Sequence, residues 1–276
     1  MSKFLELEIL FTAEKFSQIN GDLEYDLNVV LYRLGGAFYK GWSHVRYRSK
    51  EEVKFADIFD SVLIPEAHLS CAFPKHYTRA PDPLPPNCYV KEAAMLRYDP
   101  TKPTALGDAI LKEATIYEKL MRHPHPNISK YHGCQVKNGR ITGLCFDRYH
   151  ESLMSRVNPG SHGKRWFDAT QRPLKDMHSC MEGIRSGLEH LHSLGLVHND
   201  LNPSNVMFPA ADDETPIIID FASCTPIGGS LENVGKTVEW SDEKVLTSLP
   251  SNDNDALEEI TEWLRNGKNF KFEMSC

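Results

Sequence analysis

The chain has 276 residues, 41% of them hydrophobic and 25% charged, enough for one or two domains with a sizeable core. A net charge of −7 argues against a general nucleic-acid surface. No run reaches the roughly 18 apolar residues that a membrane span needs, so no membrane is expected. Acids inside the first apolar stretch, Phe4-Leu5-Glu6-Leu7-Glu8, argue against a signal peptide. Seven scattered cysteines without a Cys-x-x-Cys pair exclude a disulfide framework and predict reduced thiols in the cytoplasm or the nucleus.

Residues 1–64 read as a β-rich N-terminal extension packed on the small lobe that begins at residue 65. Leu5, Leu7 and Ile9 alternate with acids, Leu27 to Leu34 is strand-like, and Asn20-Gly21-Asp22 is a turn signal between them. Val53, Ala56, Ile58, Phe59 and Val62 follow helical spacing and predict a short helix over Glu51 to Leu63. Leu34-Gly35-Gly36-Ala37 is glycine-rich, but it reads as a surface turn rather than a phosphate-binding loop. The proline-rich stretch 74–87 predicts an extended loop, and Cys88-Tyr89-Val90-Lys91 a short strand ending in lysine.

A helix is expected over 105–122, with an apolar stripe from Leu106 to Met121. Glu113 lies on or next to that stripe and Glu118 on the opposite face. Strands 129–137 and 140–147 flank Asn138-Gly139, a type I′ turn pair. Residues 155–173, with Pro159, Gly160, Gly163 and Pro173, read as a flexible loop. A helix over 175–194 comes next, with His190 and His192 on its surface and Gly195 as its C-cap. The last helix is expected over 253–265, capped by Asn252 or Asp253, before a frayed tail from Gly267 to Cys276.

Two segments carry the chemistry. Leu196-Val197-His198-Asn199-Asp200 runs through a polar turn, holding Asn205, into Val206-Met207-Phe208. Ile217-Ile218-Ile219-Asp220 is a β-branched run that delivers an acid at its tip. Asp200, Asn205 and Asp220 thus bring three oxygen-bearing side chains to adjacent loops. Hard cations such as Mg²⁺ prefer oxygen ligands, and phosphoryl transfer needs a carboxylate to orient the attacking hydroxyl.

The spacing His198-x-Asp200-x-x-x-x-Asn205, with Asp220-Phe221 after it, resembles the catalytic core of eukaryotic protein kinases. Lys91 resembles the lysine of the kinase Val-x-x-Lys strand, Glu113 the acid of helix C, and Arg122-His123-Pro124-His125-Pro126-Asn127-Ile128 the His-Pro-Asn-Ile turn with two extra residues. The resemblance spans about residues 84–265 and is closest to fungal protein-kinase-like proteins. It implies an α+β, two-lobed protein-kinase-like fold. A small β-rich N-lobe with helix C would occupy 65–149, and a mainly helical, truncated C-lobe 150–276.

The resemblance also implies ATP and Mg²⁺ as cofactors. Lys91 would bind phosphates with Glu113 holding it, Asp200 would act as base, and Asn205 and Asp220 would ligate the metal. Phe146, as gatekeeper, with Asp147, Tyr149 and Met207, would line the adenine site. His198, Phe221 and Tyr117 would form an apolar spine, and Asp253 would brace the catalytic loop.

Four departures stand out. Asn199 replaces an arginine, Asn202 the lysine that steadies the γ-phosphate, Ala222 a glycine, and no Gly-x-Gly-x-x-Gly loop precedes Lys91. The leading expectation is a kinase acting on Ser/Thr hydroxyls. The alternatives are a pseudokinase scaffold that binds nucleotide or protein, and a small-molecule kinase of the aminoglycoside or choline type.

Overall fold

The computed structural model describes residues 6–19, 22–160, 163–164, 167–168, 172–232, 234–237, 239–242 and 244–266. The turn at Asn20-Gly21 and the tail from Gly267 lie outside the described residues. A β-rich N-terminal part leads into a part that carries most of the helices, the α+β class expected of the sequence. By contacts the chain divides into two compact units. One is Met1–Arg79, Lys91–Leu111 and Cys134–Leu144; the other is Ala80–Val90, Lys112–Gly133 and Cys145–Cys276.

In the first unit, β1 (Leu7–Ile19), β2 (Asp22–Leu34), β3 (Ala37–Ser43) and β4 (Phe59–Ile64) form an antiparallel meander in that order. Gly35 and Gly36 make its β2–β3 turn with φ of +59° and +88°, a conformation that glycine adopts without steric penalty. The short helix expected over 51–63 does not form. That stretch makes single 3₁₀ turns at Lys50–Glu52 and Phe55–Asp57, then enters β4, where Phe38 pairs with Ile64 and Lys40 with Val62. Its β-branched residues Val53, Ile58 and Val62 suit a pleated sheet, and the ladder to β3 outweighs helical spacing. Leu31, Ile64, Tyr98 and Leu106 form the buried core here, with Phe38, Val62 and Leu96 packed against it.

A further sheet has the order β5 (Cys71–Ala72), β8 (Arg140–Asp147), β6 (Cys88–Lys91), with β7 (Tyr131–Lys137) also paired to β8. Asn138 and Gly139 turn between β7 and β8 with φ of +52° and +73°, the type I′ geometry expected. Helix α1 spans Ala105–Arg122, as expected. Glu118 departs from expectation: both it and Glu113 are buried, because α1 is covered around most of its circumference rather than along one stripe.

The second unit is built on α3 (Met177–Ser193), preceded by the strand β9 (Glu151–Ser152) and the short helix α2 (Leu153–Val157). Asp176 caps α3 by accepting from the Ser179 amide at 2.9 Å, and Gly195 lies just past its C-terminus with φ of +74°. Cys180, Met181, Ile184, Leu188 and Leu191 face the core. Burial pushes the Cys180 and Cys224 thiols up to about 12, which keeps them un-ionised and unreactive. The six described cysteines are all free thiols.

Two glycines let α3 lie close to its neighbours. A Cβ on Gly187 would stand 2.9 Å from the Ile218 side chain and 3.2 Å from the Asn127 carbonyl oxygen. Alanine usually stabilises a helix interior by about 1 kcal/mol over glycine. Here the backbone contact cannot yield cheaply, so Gly187→Ala is expected to destabilise by about 1–3 kcal/mol, read as a lower urea midpoint.

Helix α4 spans Pro250–Asn266, starting three residues before the expected position. Proline opens it at a position where its missing N–H is not needed, so neither Asn252 nor Asp253 is the cap. Leu257, Ile260, Trp263 and Leu264 are buried. Part of the expected loop 155–173 is also buried: Phe167 stacks on Trp263 at 3.8 Å, and the Lys164 ammonium pairs with Glu259 over the Trp240 ring. No described helix is long and apolar enough to cross a membrane.

Candidate active site

The site is organised by the loop joining β10 (Leu196–Val197) to β11 (Val206–Phe208). β10 pairs with β13 (Thr225–Pro226), and β11 with both β9 and β12 (Ile217–Ile218). Short strands therefore pin both ends of the loop. Its first two residues are also pinned by Asp253, fully buried in the first turn of α4. One Asp253 oxygen accepts from the Asn199 amide at 2.8 Å; the other accepts from the His198 amide at 2.9 Å and from His192 Nε2 at 2.8 Å. Sequence reasoning puts His192 on the surface. The structure makes it a partner of this buried carboxylate, since α3 packs directly on α4.

His198 Nε2 lies 2.9 Å from the Ile219 carbonyl, which can only accept, so Nε2 carries the proton. Its Nδ1 then accepts from the Asp200 amide at 3.3 Å. Asn199 sits at φ +62°, a left-handed conformation that asparagine tolerates. Its side chain donates to the Val197 carbonyl and Ser248 hydroxyl, both at 3.0 Å, and accepts from Asn252 at 3.1 Å. The position where kinases carry an arginine is thus committed to local bonds.

Asp200 presents a half-buried carboxylate. Oδ1 accepts from the Thr237 amide at 2.9 Å, and Oδ2 accepts from the Thr237 hydroxyl at 3.0 Å. Asn202, only 1% exposed, donates to the Asp200 carbonyl at 3.0 Å and to Thr237 Oγ1 at 3.2 Å, and accepts from the Ser204 amide. Asn205 donates through Nδ2 to the Asp200 carbonyl at 2.8 Å, which leaves its amide oxygen as the atom suited to a cation. The Asn205 carbonyl accepts from the Ile219 amide at 3.0 Å, locking the loop to the residue before Asp220. Asp220 adopts φ +61°, ψ +77°, with Oδ1 accepting from the Ala222 amide at 3.3 Å.

Asp200, Asn205 and the Asp220 segment therefore belong to one bonded set within the second unit. Magnesium takes one or two protein carboxylates and completes its shell with phosphate and water oxygens. The Asn205 amide oxygen and the Asp220 carboxylate fit such an ion. Among the described residues no group of three or more His, Cys, Asp or Glu could hold a metal by itself.

Phe221 is fully buried, 5.0 Å from the His198 ring and 5.2 Å from Tyr117. Tyr117 in turn packs on Phe146 at 4.6 Å and Tyr131 at 5.3 Å. Burial raises the Tyr117 phenol well above its usual range, and its hydroxyl lies 3.0 Å from that of Ser129. The stretch after Phe146 is laced to its surroundings. The Asp147 amide donates to the Lys130 carbonyl at 3.0 Å, its carboxylate bonds His132 at 2.6 Å, and the Tyr149 hydroxyl accepts from the Lys130 amide at 3.0 Å. Asn87 closes on Arg148 with backbone and side chain, and the Arg148 guanidinium lies over Tyr89. Met207 is half-buried on β11, opposite Ile217 and Ser152. Lys91 ends β6 in the first unit, whereas Glu113 is a buried residue of the second.

Two contributors escape sequence reasoning: Thr237, as the partner of Asp200, and Asn87. Nothing in the sequence around Thr237 signals the carboxylate it meets.

Relatives are similar over part of their length. A serine/threonine-protein kinase/endoribonuclease IRE1 from Hypocrea jecorina is 30% identical over 129 residues, 45% of this chain and 10% of that protein. The Homo sapiens serine/threonine-protein kinase/endoribonuclease IRE2 is 28% identical over 136 residues, 46% of this chain and 14% of that protein. Calcium-dependent protein kinase 12 from Oryza sativa is 29% identical over 117 residues, 41% of this chain and 20% of that protein. The chain thus spans a fifth or less of these relatives' own length. Residues 90–255, more than half of the chain, match the family model described as protein kinase domain, and the chain belongs to that family.

Proposed function

We propose that this chain is a kinase that uses ATP and Mg²⁺ to transfer the γ-phosphoryl group to a Ser or Thr hydroxyl, acting in the cytoplasm or nucleus. The carrying observation is the Asp200 carboxylate, which accepts a hydrogen bond from a threonine hydroxyl at 3.0 Å on a loop clamped by Asp253. A carboxylate in that state can orient an attacking hydroxyl and take up its proton. The chemistry that Mg²⁺ would supply there is positive charge to offset that of the phosphates. Asn205 and Asp220 would hold it, each fixed by its own backbone-directed bond. Lys91 would bind the phosphates with Glu113 as its counter-charge, and Phe146, Asp147, Tyr149 and Met207 would line the adenine site.

Asn202 sets the rate in this reading. It contributes dipoles rather than a positive charge, and electrostatic stabilisation of the transition state is a large term in catalysis. Turnover should therefore be slow. The same observation favours a second reading, a nucleotide-binding scaffold without transfer.

Incubation with [γ-³²P]ATP and Mg²⁺ or Mn²⁺, beside Asp220→Ala, separates the two. Label incorporated by the native chain and lost in Asp220→Ala supports the kinase. Equal background in both, with nucleotide still raising the melting temperature, overturns it in favour of the scaffold.

A further inference from the structure

A cavity of about 370 Å³ lies wholly within the first unit and shares no residue with the proposed kinase set. It is lined by Lys40 and Trp42 of β3, Val62 of β4, and Arg97, Tyr98, Asp99 and Pro100. Its volume is at the small end of the range for ligand pockets, roughly 300–1,000 Å³.

Its charge is the informative feature. Lys40 is half-buried, and its ammonium donates to the Tyr98 carbonyl at 3.0 Å and lies 5.8 Å from the centre of the Trp42 ring. Among the described ion pairs none joins a carboxylate to Lys40 or to Arg97. Asp99, the nearby acid, is occupied by the amide and hydroxyl of Thr101 at 2.9 and 2.7 Å. Desolvation pulls the Lys40 amine below its usual range, partly offset by Asp99. An ammonium has three donors, and the carbonyl takes one. Two cations thus line a hollow together with an indole ring, a valine, a tyrosine, a proline and the Asp99 already bonded to Thr101.

We propose that this hollow binds a small organic anion: a planar apolar body against Trp42 and Val62, carrying a carboxylate or phosphate between Lys40 and Arg97. The guanidinium suits the two oxygens of such a group, and the ammonium supplies a point charge. The apolar walls select against bare inorganic anions, because their burial gain requires an apolar body.

The full chain is titrated calorimetrically with three probes that share one ring system: indole-3-acetate, indole-3-ethanol and tryptamine. Saturable binding of the acetate is expected, about ten-fold or more tighter than the neutral alcohol, as one charge-assisted hydrogen bond would give, with the amine weakest. Lys40→Met keeps the apolar stem and should weaken the acetate about ten-fold. Arg97→Gln, at an exposed rim position, should do so several-fold and decides the matter if the Lys40 variant misfolds. Phenyl phosphate against phenol asks whether phosphate serves as well as carboxylate. Equal affinity for all three indoles, no saturation at millimolar concentration, or native affinity in a folded Arg97→Gln protein overturns the proposal.

Discussion

Asp200→Asn should lower phosphoryl transfer about 10³-fold, in the range set by losing one positioned acid–base group, while nucleotide affinity changes little. The substitution keeps the shape of the side chain. Its amide oxygen can still accept from the Thr237 amide, which bonds the native carboxylate at 2.9 Å. What disappears is the second acceptor: an NH₂ would face the Thr237 hydroxyl and the Asn205 amide, both now donating to Oδ2. The variant therefore lacks the basic oxygen that a hydroxyl substrate needs, while the Thr237 amide bond and the Asn205 bond to the residue 200 carbonyl are kept. Initial rates over a range of ATP concentrations separate the outcomes. A drop confined to kcat fits a carboxylate that acts on the acceptor hydroxyl. A drop confined to KM for ATP would assign Asp200 to nucleotide binding, and an unchanged rate would remove it from the mechanism.

Most of this site is legible in the sequence because its residues sit close together along the chain. The eight residues from His198 to Asn205 carry their spacing on one loop, and the β-branched run before Asp220 announces a buried strand. Helix α1 is equally legible, since its boundaries coincide with the span of its apolar pattern. Failures arise where partners come from distant sequence. Residues 51–63 have a helical rhythm, yet the ladder to β3 decides their structure, and pairing with another strand cannot be read from a segment alone. His192 looks like a surface residue on α3 because the buried acid it meets lies 61 positions away. Thr237 is 37 positions from Asp200, in a stretch with no regular period. Asn202 and Asn199 are visible in the sequence only as missing charges. The structure gives them positive content: each amide bonds a different neighbouring segment, which a lysine or arginine could not reproduce with the same atoms.

Asp253→Ala is expected to be the most destabilising single change in the second unit, by about 3–5 kcal/mol, because it strips a buried acceptor from three donors at once. Asp253 has no exposed surface, and its oxygens take the His198 and Asn199 amides and His192 Nε2, all within 2.9 Å. Alanine leaves two backbone N–H groups buried beside a small cavity that water enters poorly. Each such group costs about 1–3 kcal/mol, a large share of a domain stability of roughly 5–15 kcal/mol. His192→Ala discriminates this account from a simple ion-pair effect. It removes one of the three bonds and leaves both amides satisfied, so its urea midpoint should fall much less than that of Asp253→Ala. If the two variants lose equal stability, the side-chain pair, not the backbone anchoring, carries the energy. Activity gives a second readout. The two amides belong to the residues immediately before Asp200, so releasing them frees the segment that aims the carboxylate. A folded Asp253→Ala protein, assayed well below its own melting midpoint, should therefore lose transfer rate while still binding nucleotide. Full activity in that folded variant would mean that the short strands at the loop's two ends are sufficient to aim Asp200.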